Sequence, residues 1–226
     1  MIPLRDENPS KGIPYVNILL IFANIAAFVH QKFLVFGGSQ DLVLRMGYIP
    51  YELTHLVDIG PPSRIPIPLT IFTAMFMHGG WIHLLGNMLF LWIFGDNVEE
   101  KLGHFRYMYF FLMCGVAASL FHIFTNYHSR VPCIGASGAV AGIMGAYMFL
   151  FPRARIKTLL ILGIFIQVVS IPAIVMLGYW ILIQILSGFT EWGSRTGGGI
   201  AWFAHIGGFF AGFFLMIIMK KRKRRS

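Results

Sequence analysis

Acidic side chains are scarce in this chain: Asp and Glu number 9 against 18 Lys and Arg in 226 residues, and charged residues make up only 12% of the total. A soluble core of this length needs a charged shell, and a chain that is 57% hydrophobic with a mean hydropathy of +0.71 has none to offer. Cysteine is nearly absent too. Cys114 in an apolar run and Cys133 in a polar one fit no metal-ligand spacing and build no disulfide framework. There is no HExxH string, which excludes that class of zinc protease. The first apolar stretch lacks a small-residue cleavage pattern and reads as a retained span.

What the chain has instead is several apolar runs of near-bilayer length, so it reads as all-α and polytopic. The expected division is a short cytoplasmic tail at 1–14, a single membrane domain at 15–219 and a basic cytoplasmic tail at 220–226. Of the net charge of +9, six groups lie in the run Lys220 to Arg225. Beside an apolar segment that run reads as an anchor on anionic lipid, not as a nucleic-acid site.

The spans are expected at Tyr15 to Phe36, Trp81 to Phe94 with an apolar lead-in from Ile71, Phe105 to Thr125, Ser137 to Phe151, Pro172 to Ser187 and Ile200 to Met219. Five prolines between Gly37 and Thr70 preclude one continuous helix there, so this first loop is expected to lie partly in the interface. The apolar stretch Ile156 to Ser187 holds one span or two. One span puts both termini and Arg153, Arg155 and Lys157 on the cytoplasmic side, as the distribution of basic residues favours, and leaves 156–170 interfacial or re-entrant.

In that six-span topology, polar residues gather near the outer ends of spans two, four and six. His83 and Asn87 are one turn apart on one face, Ser137 opens span four, and His205 lies in span six. Ser137 is 15 residues before Pro152 and His205 is 15 before Lys220. At about 1.5 Å per residue the two are level, each about 22 Å from its cytoplasmic end. Gly138 and Gly142 on one span, and Gly208 and Gly212 on the other, let the backbones approach. Imidazole within reach of a hydroxyl makes a nucleophile of it. All nine carboxylates are read in the N-terminal tail or in loops, so no acid is available to orient His205 as in a triad, and a Ser-His dyad remains. The lack of intramembrane acids also argues against a proton-coupled transporter.

These residues resemble the rhomboid family of intramembrane serine proteases. The matching pieces are Phe76-Met77-His78 through Trp81, His83 and Asn87, then Gly135-Ala136-Ser137-Gly138, then Ala204-His205 with Gly208 and Gly212. The resemblance implies hydrolysis of a peptide bond in or beside the transmembrane segment of membrane-protein substrates, with Ser137 as nucleophile and His205 as base and then acid. It implies an oxyanion hole of His83, Asn87 and the Ser137 N–H, with Gly135, Gly138, Gly142, Gly208 and Gly212 as helix contacts, and no metal or cofactor. Its partners would be those substrates and the bilayer, without nucleic acid, in a prokaryotic inner membrane with both termini cytoplasmic. The oligomeric state is open. The alternative is an inactive rhomboid-like protein that binds client helices.

Two departures from the family pattern stand out. Ala141 occupies the place of an aromatic that would pack on the histidine, so another residue must hold the ring. Leu69 and Thr70 stand where many members carry Trp-Arg. His78 is expected to tie the first loop down, and His104 and His122 are read as surface or interface residues. The fifth span and the loop from Gly188 to Gly199 are expected to move on substrate entry.

Overall fold

A computed structural model of the chain describes residues 1–34, 39–60, 65–191 and 200–219. The basic run from Lys220, the prolines at 61 and 62, and most of the Gly188 to Gly199 loop lie outside the described residues. The elements are β1 (Ile2–Asp6), α1 (Tyr15–Val29) continued by a π turn over His30–Leu34, α2 (Ser39–Met46), α3 (Pro50–His55), α4 (Thr70–Ala74), α5 (Trp81–Leu102), α6 (His104–Thr125), α7 (Ser137–Leu150), β2 (Arg155–Leu162), β3 (Phe165–Pro172), α8 (Ala173–Glu191) and α9 (Trp202–Met219). The structure is thus mostly helical.

Among the described residues four helices are long and apolar enough to cross a membrane: α1 with its extension to Phe33, α6, α8 and α9. α7 is apolar but shorter, and α5 carries Asp96, Glu99, Glu100 and Lys101 in its last turns. Large apolar side chains such as Phe22, Trp92, Phe124, Leu186 and Phe214 are exposed on the flanks of this bundle, where lipid rather than water is the favourable surround.

At the centre α7 packs between α6 and α9, and the reason is a lack of side chains. A Cβ added to Gly208 would overlap the carbonyl oxygen of Gly138, and one added to Gly212 would overlap that of Gly142. On the other flank of α7, a Cβ at Gly138 would meet Ala118 at 2.6 Å and one at Gly142 would meet Cys114 at 2.5 Å, both on α6. Backbone therefore lies on backbone, the close approach that small residues give membrane helices.

The charged stretch at the end of span two, read from sequence as a loop, is helix to Leu102. It stays helical because its acids are taken up by the N-terminal segment. Glu99, 1% exposed, accepts the backbone N–H groups of Val16 and Asn17 and meets the His104 ring. It thereby caps the start of α1 from another helix, where the helix dipole favours a negative charge. His104 is a surface residue, as expected, and anchors the N-terminal end of the bundle through this contact.

Residues 156–170, expected to be interfacial or re-entrant, are extended and not helical. β2 and β3 form an antiparallel hairpin from Arg155↔Pro172 to Leu162↔Phe165, and β1 adds to it as a third strand in the order β1-β2-β3. The β-branched residues that crowd this stretch suit a strand, and Gly163 at φ +60 turns the two-residue loop. Part of the short polar tail expected at 1–14 is therefore strand, β1. Between Ile156 and Ser187 a single membrane-length helix remains, α8.

Candidate active site

Ser137 is the first residue of α7, preceded by Ala136, which supplies no side-chain cap. The first N–H groups of a helix have no intrahelical acceptor, and the dipole favours an anion in front of them. The approach to the serine is fixed by hydrogen bonds across the first loop: the Gly135 N–H donates to the Ala74 carbonyl at 2.8 Å, and Tyr48 and Cys133 exchange backbone hydrogen bonds. Gly135 is not a helix contact. It sits before α7 at φ +123, a conformation that favours glycine, with the His83 ring so near that a Cβ would meet it at 2.8 Å.

His205, in the first turn of α9, approaches Ser137 with Nε2 2.8 Å from Oγ. Its Nδ1 lies 2.7 Å from Oε1 of Gln184 on α8. The Trp180 ring, one turn before Gln184, packs against the imidazole at a centroid distance of 5.8 Å, and Trp202 meets it edge-on at 6.4 Å. The ring is therefore held from α8 and from its own helix, not from position 141 on α7. Neither Trp180 nor Gln184 was identified from sequence. The available signal was an amide in an apolar run, a costly placement unless it has a partner.

His83 and Asn87 lie one turn apart on α5, and the His83 ring lies beside Gly135, two residues before Ser137. The Gly79 N–H donates to His83 Nδ1 at 3.3 Å, so a neutral ring carries its proton on Nε2, the nitrogen beside Gly135. Asn87 is 7% exposed and its Nδ2 has no hydrogen-bond partner among the described residues. A buried donor without an acceptor costs about 1–3 kcal/mol, which a ligand oxygen would recover. A narrow cleft beside the serine is lined by Met75, Ile134, Gly135, Ala201 and Ala204.

His78 holds the loop ahead of α5 through its backbone: its carbonyl accepts from Gln31 Nε2 at 2.9 Å and its N–H donates to Gln31 Oε1 at 3.1 Å. His122 is buried, not superficial, with Nε2 3.2 Å from Cys133 Sγ. Burial pushes the Cys133 thiol up to about 12, so it stays protonated and unreactive at neutral pH.

A family model for the Rhomboid domain matches residues 68–222, which span all four of Ser137, His205, His83 and Asn87. The chain is 28% identical over 232 residues to Rhomboid protein 1, mitochondrial, of Saccharomyces cerevisiae, covering 95% of this chain and 62% of that protein. It is 32% identical over 205 residues to the rhomboid protease GluP of Bacillus subtilis, covering 90% of this chain and 34% of the relative. It is 34% identical over 165 residues to Rhomboid-like protein 11, chloroplastic, of Arabidopsis thaliana, covering 72% and 51% respectively. The chain thus spans between about a third and three fifths of the length of these curated relatives.

Proposed function

Since the chain belongs to the rhomboid family, we propose that it is an intramembrane serine endopeptidase that hydrolyses a peptide bond in or beside the transmembrane segment of a membrane-protein substrate. The observation that carries this reading is the 2.8 Å contact between Ser137 Oγ and His205 Nε2 at the start of α7.

In this mechanism Oγ attacks the scissile carbonyl carbon as its proton passes to Nε2. The oxygen that becomes negative is met by Asn87 Nδ2–H, His83 Nε2–H and the Ser137 N–H, with the positive end of α7 behind them. The imidazolium returns the proton to the leaving nitrogen as the C–N bond breaks. Water then attacks the acyl-serine carbon, giving its proton to Nε2, and the serine regains its proton as the new carboxylic acid leaves. No step needs a metal or cofactor.

The functional unit we propose has six spans, α1, α5, α6, α7, α8 and α9, with both termini cytoplasmic, in a prokaryotic inner membrane. α7 crosses despite its shortness because α6 and α9 flank it, and α5 despite its charge because α1, α6 and α7 pack on it. The test is cleavage of a single-span substrate by the purified chain in detergent. The parent is expected to cleave and Ser137→Ala and His205→Ala are not; equal cleavage by all three would end the protease reading.

A further inference from the structure

We propose that Gln184 is a positioning residue for the Ser137–His205 pair, fixing the imidazole tautomer that leaves Nε2 free to take the serine proton. The assignment rests on the protease reading above.

α8 has its buried side along Leu177, Ile181, Gln184 and Gly188, with Val175, Tyr179, Leu182 and Leu186 exposed between them. Gln184, 6% exposed, is the one amide on that helix and points its Oε1 at His205 Nδ1, 2.7 Å away. A carbonyl oxygen only accepts, so Nδ1 carries the ring's proton in this contact. A neutral imidazole has a single N–H, hence Nε2 presents its lone pair to Ser137 Oγ at 2.8 Å. Without Gln184 the ring is free to hold its proton on Nε2, where it donates to the serine and is no base. An acid that fixes this tautomer does the same work in a triad. Here the amide takes that part. Among the described residues the other titratable side chains near His205 are histidines, His83 on α5 and His122 on α6, and neither reaches Nδ1.

Trp180 lies one turn before Gln184 and packs on the same ring. One helix therefore sets both the rotamer and the tautomer of the base. A hydrogen bond of this length is lost with a displacement of about 1 Å. α8 in its present position is thus what makes His205 competent.

The experiment uses the full chain with Gln184→Leu and Gln184→Glu. Nitrogen NMR of histidine-labelled protein reads the tautomer, with the His205 signal identified by its loss in His205→Ala. The parent is expected to be protonated on Nδ1 and the Leu variant to show a mixture. The Leu variant should lose about 10- to 100-fold in kcat with KM within about twofold, and react with a small fluorophosphonate at Ser137 more slowly by the same factor. Because that probe needs no substrate groove, a purely structural or lipid-facing role would leave its rate unchanged. Gln184→Glu should keep the tautomer and move the acid limb of the kcat/KM profile upward by about one pH unit. An unchanged tautomer and labelling rate in Gln184→Leu overturn the assignment; if that variant does not fold, an unmoved pH profile in Gln184→Glu does so. A parent with the Nδ1–H tautomer that neither cleaves nor labels would instead overturn the protease reading and leave Gln184 as the residue that orients His205.

Discussion

Two polar clusters lie at opposite ends of the helical bundle, and they differ in how completely they are paired. At the end formed by the close of α5 and the N-terminal segment, Glu99 is met by two N–H groups and His104. There Asp6 accepts from Tyr147 and Asn97, Ser10 donates to Asp96, and Asn17 bonds Leu91 and Tyr107. At the other end buried polar atoms of Asn87, His78, His122 and Trp202 have no partner among the described residues. The first cluster spends its hydrogen bonds on holding the chain together. The second keeps donors unpaired, a cost to stability that makes sense if a substrate oxygen is to receive them.

Substitutions on the two sides should therefore separate activity from stability. Ser137→Ala and His205→Ala are expected to lower cleavage by about 10³-fold or more, while the thermal midpoint in detergent stays nearly unchanged. Glu99→Ala is expected to act the opposite way, costing about 3 kcal/mol because α1 loses its cap and His104 its partner. Thermal unfolding would show that loss, and cleavage per folded molecule would stay near the parent's. Asn87→Leu should reduce cleavage by about 10- to 100-fold, less than a lone oxyanion donor because His83 and the Ser137 N–H remain. Its midpoint should be equal or higher, since an unpaired donor is gone. A marked fall in stability for Asn87→Leu would erase the contrast between the clusters.

The smallest effect concerns Asp6, outside the spans. Burial raises its carboxyl from 3.8 to about 6, with the nearby Asp96 adding to the shift. The folded state binds the proton more tightly than the unfolded chain, so this contribution is fully present below about pH 4 and is lost as pH rises through 6. For a half-exposed carboxyl, solvent screening reduces it to about 1 kcal/mol. Asp6→Asn keeps an acceptor for Tyr147 without the charge. It should raise the midpoint slightly at pH 8 and leave it unchanged at pH 4.5, as unfolding curves at the two values would reveal.

Legibility followed sequence distance. The helices that carry Ser137, His205, His83 and Asn87 were legible because apolar runs and breakers depend only on local order. The glycines of α7 and α9 were legible for the same reason, whereas Gly135, three residues nearer the loop, turned out to serve His83 and not a helix. The hairpin at 155–172 was not legible. An apolar, β-branched run beside a membrane reads alike as span or strand until β1, some 150 residues away, is seen to pair with it. The helical end of α5 was missed likewise, since what stabilises Glu99 there comes from Val16 and Asn17.

The sequence by itself determined that this chain belongs in a membrane, which segments carry its intramembrane polar residues, and that its carboxylates lie outside the apolar runs. Those properties follow from composition and periodicity, which each segment carries alone. Only the tertiary structure decided what replaces the missing acid and the missing aromatic. Gln184 and Trp180 lie more than a helix away from His205 in sequence, and an amide acquires meaning only from what its oxygen faces. Packing of α8 against α9 supplies that, and no local pattern encodes it.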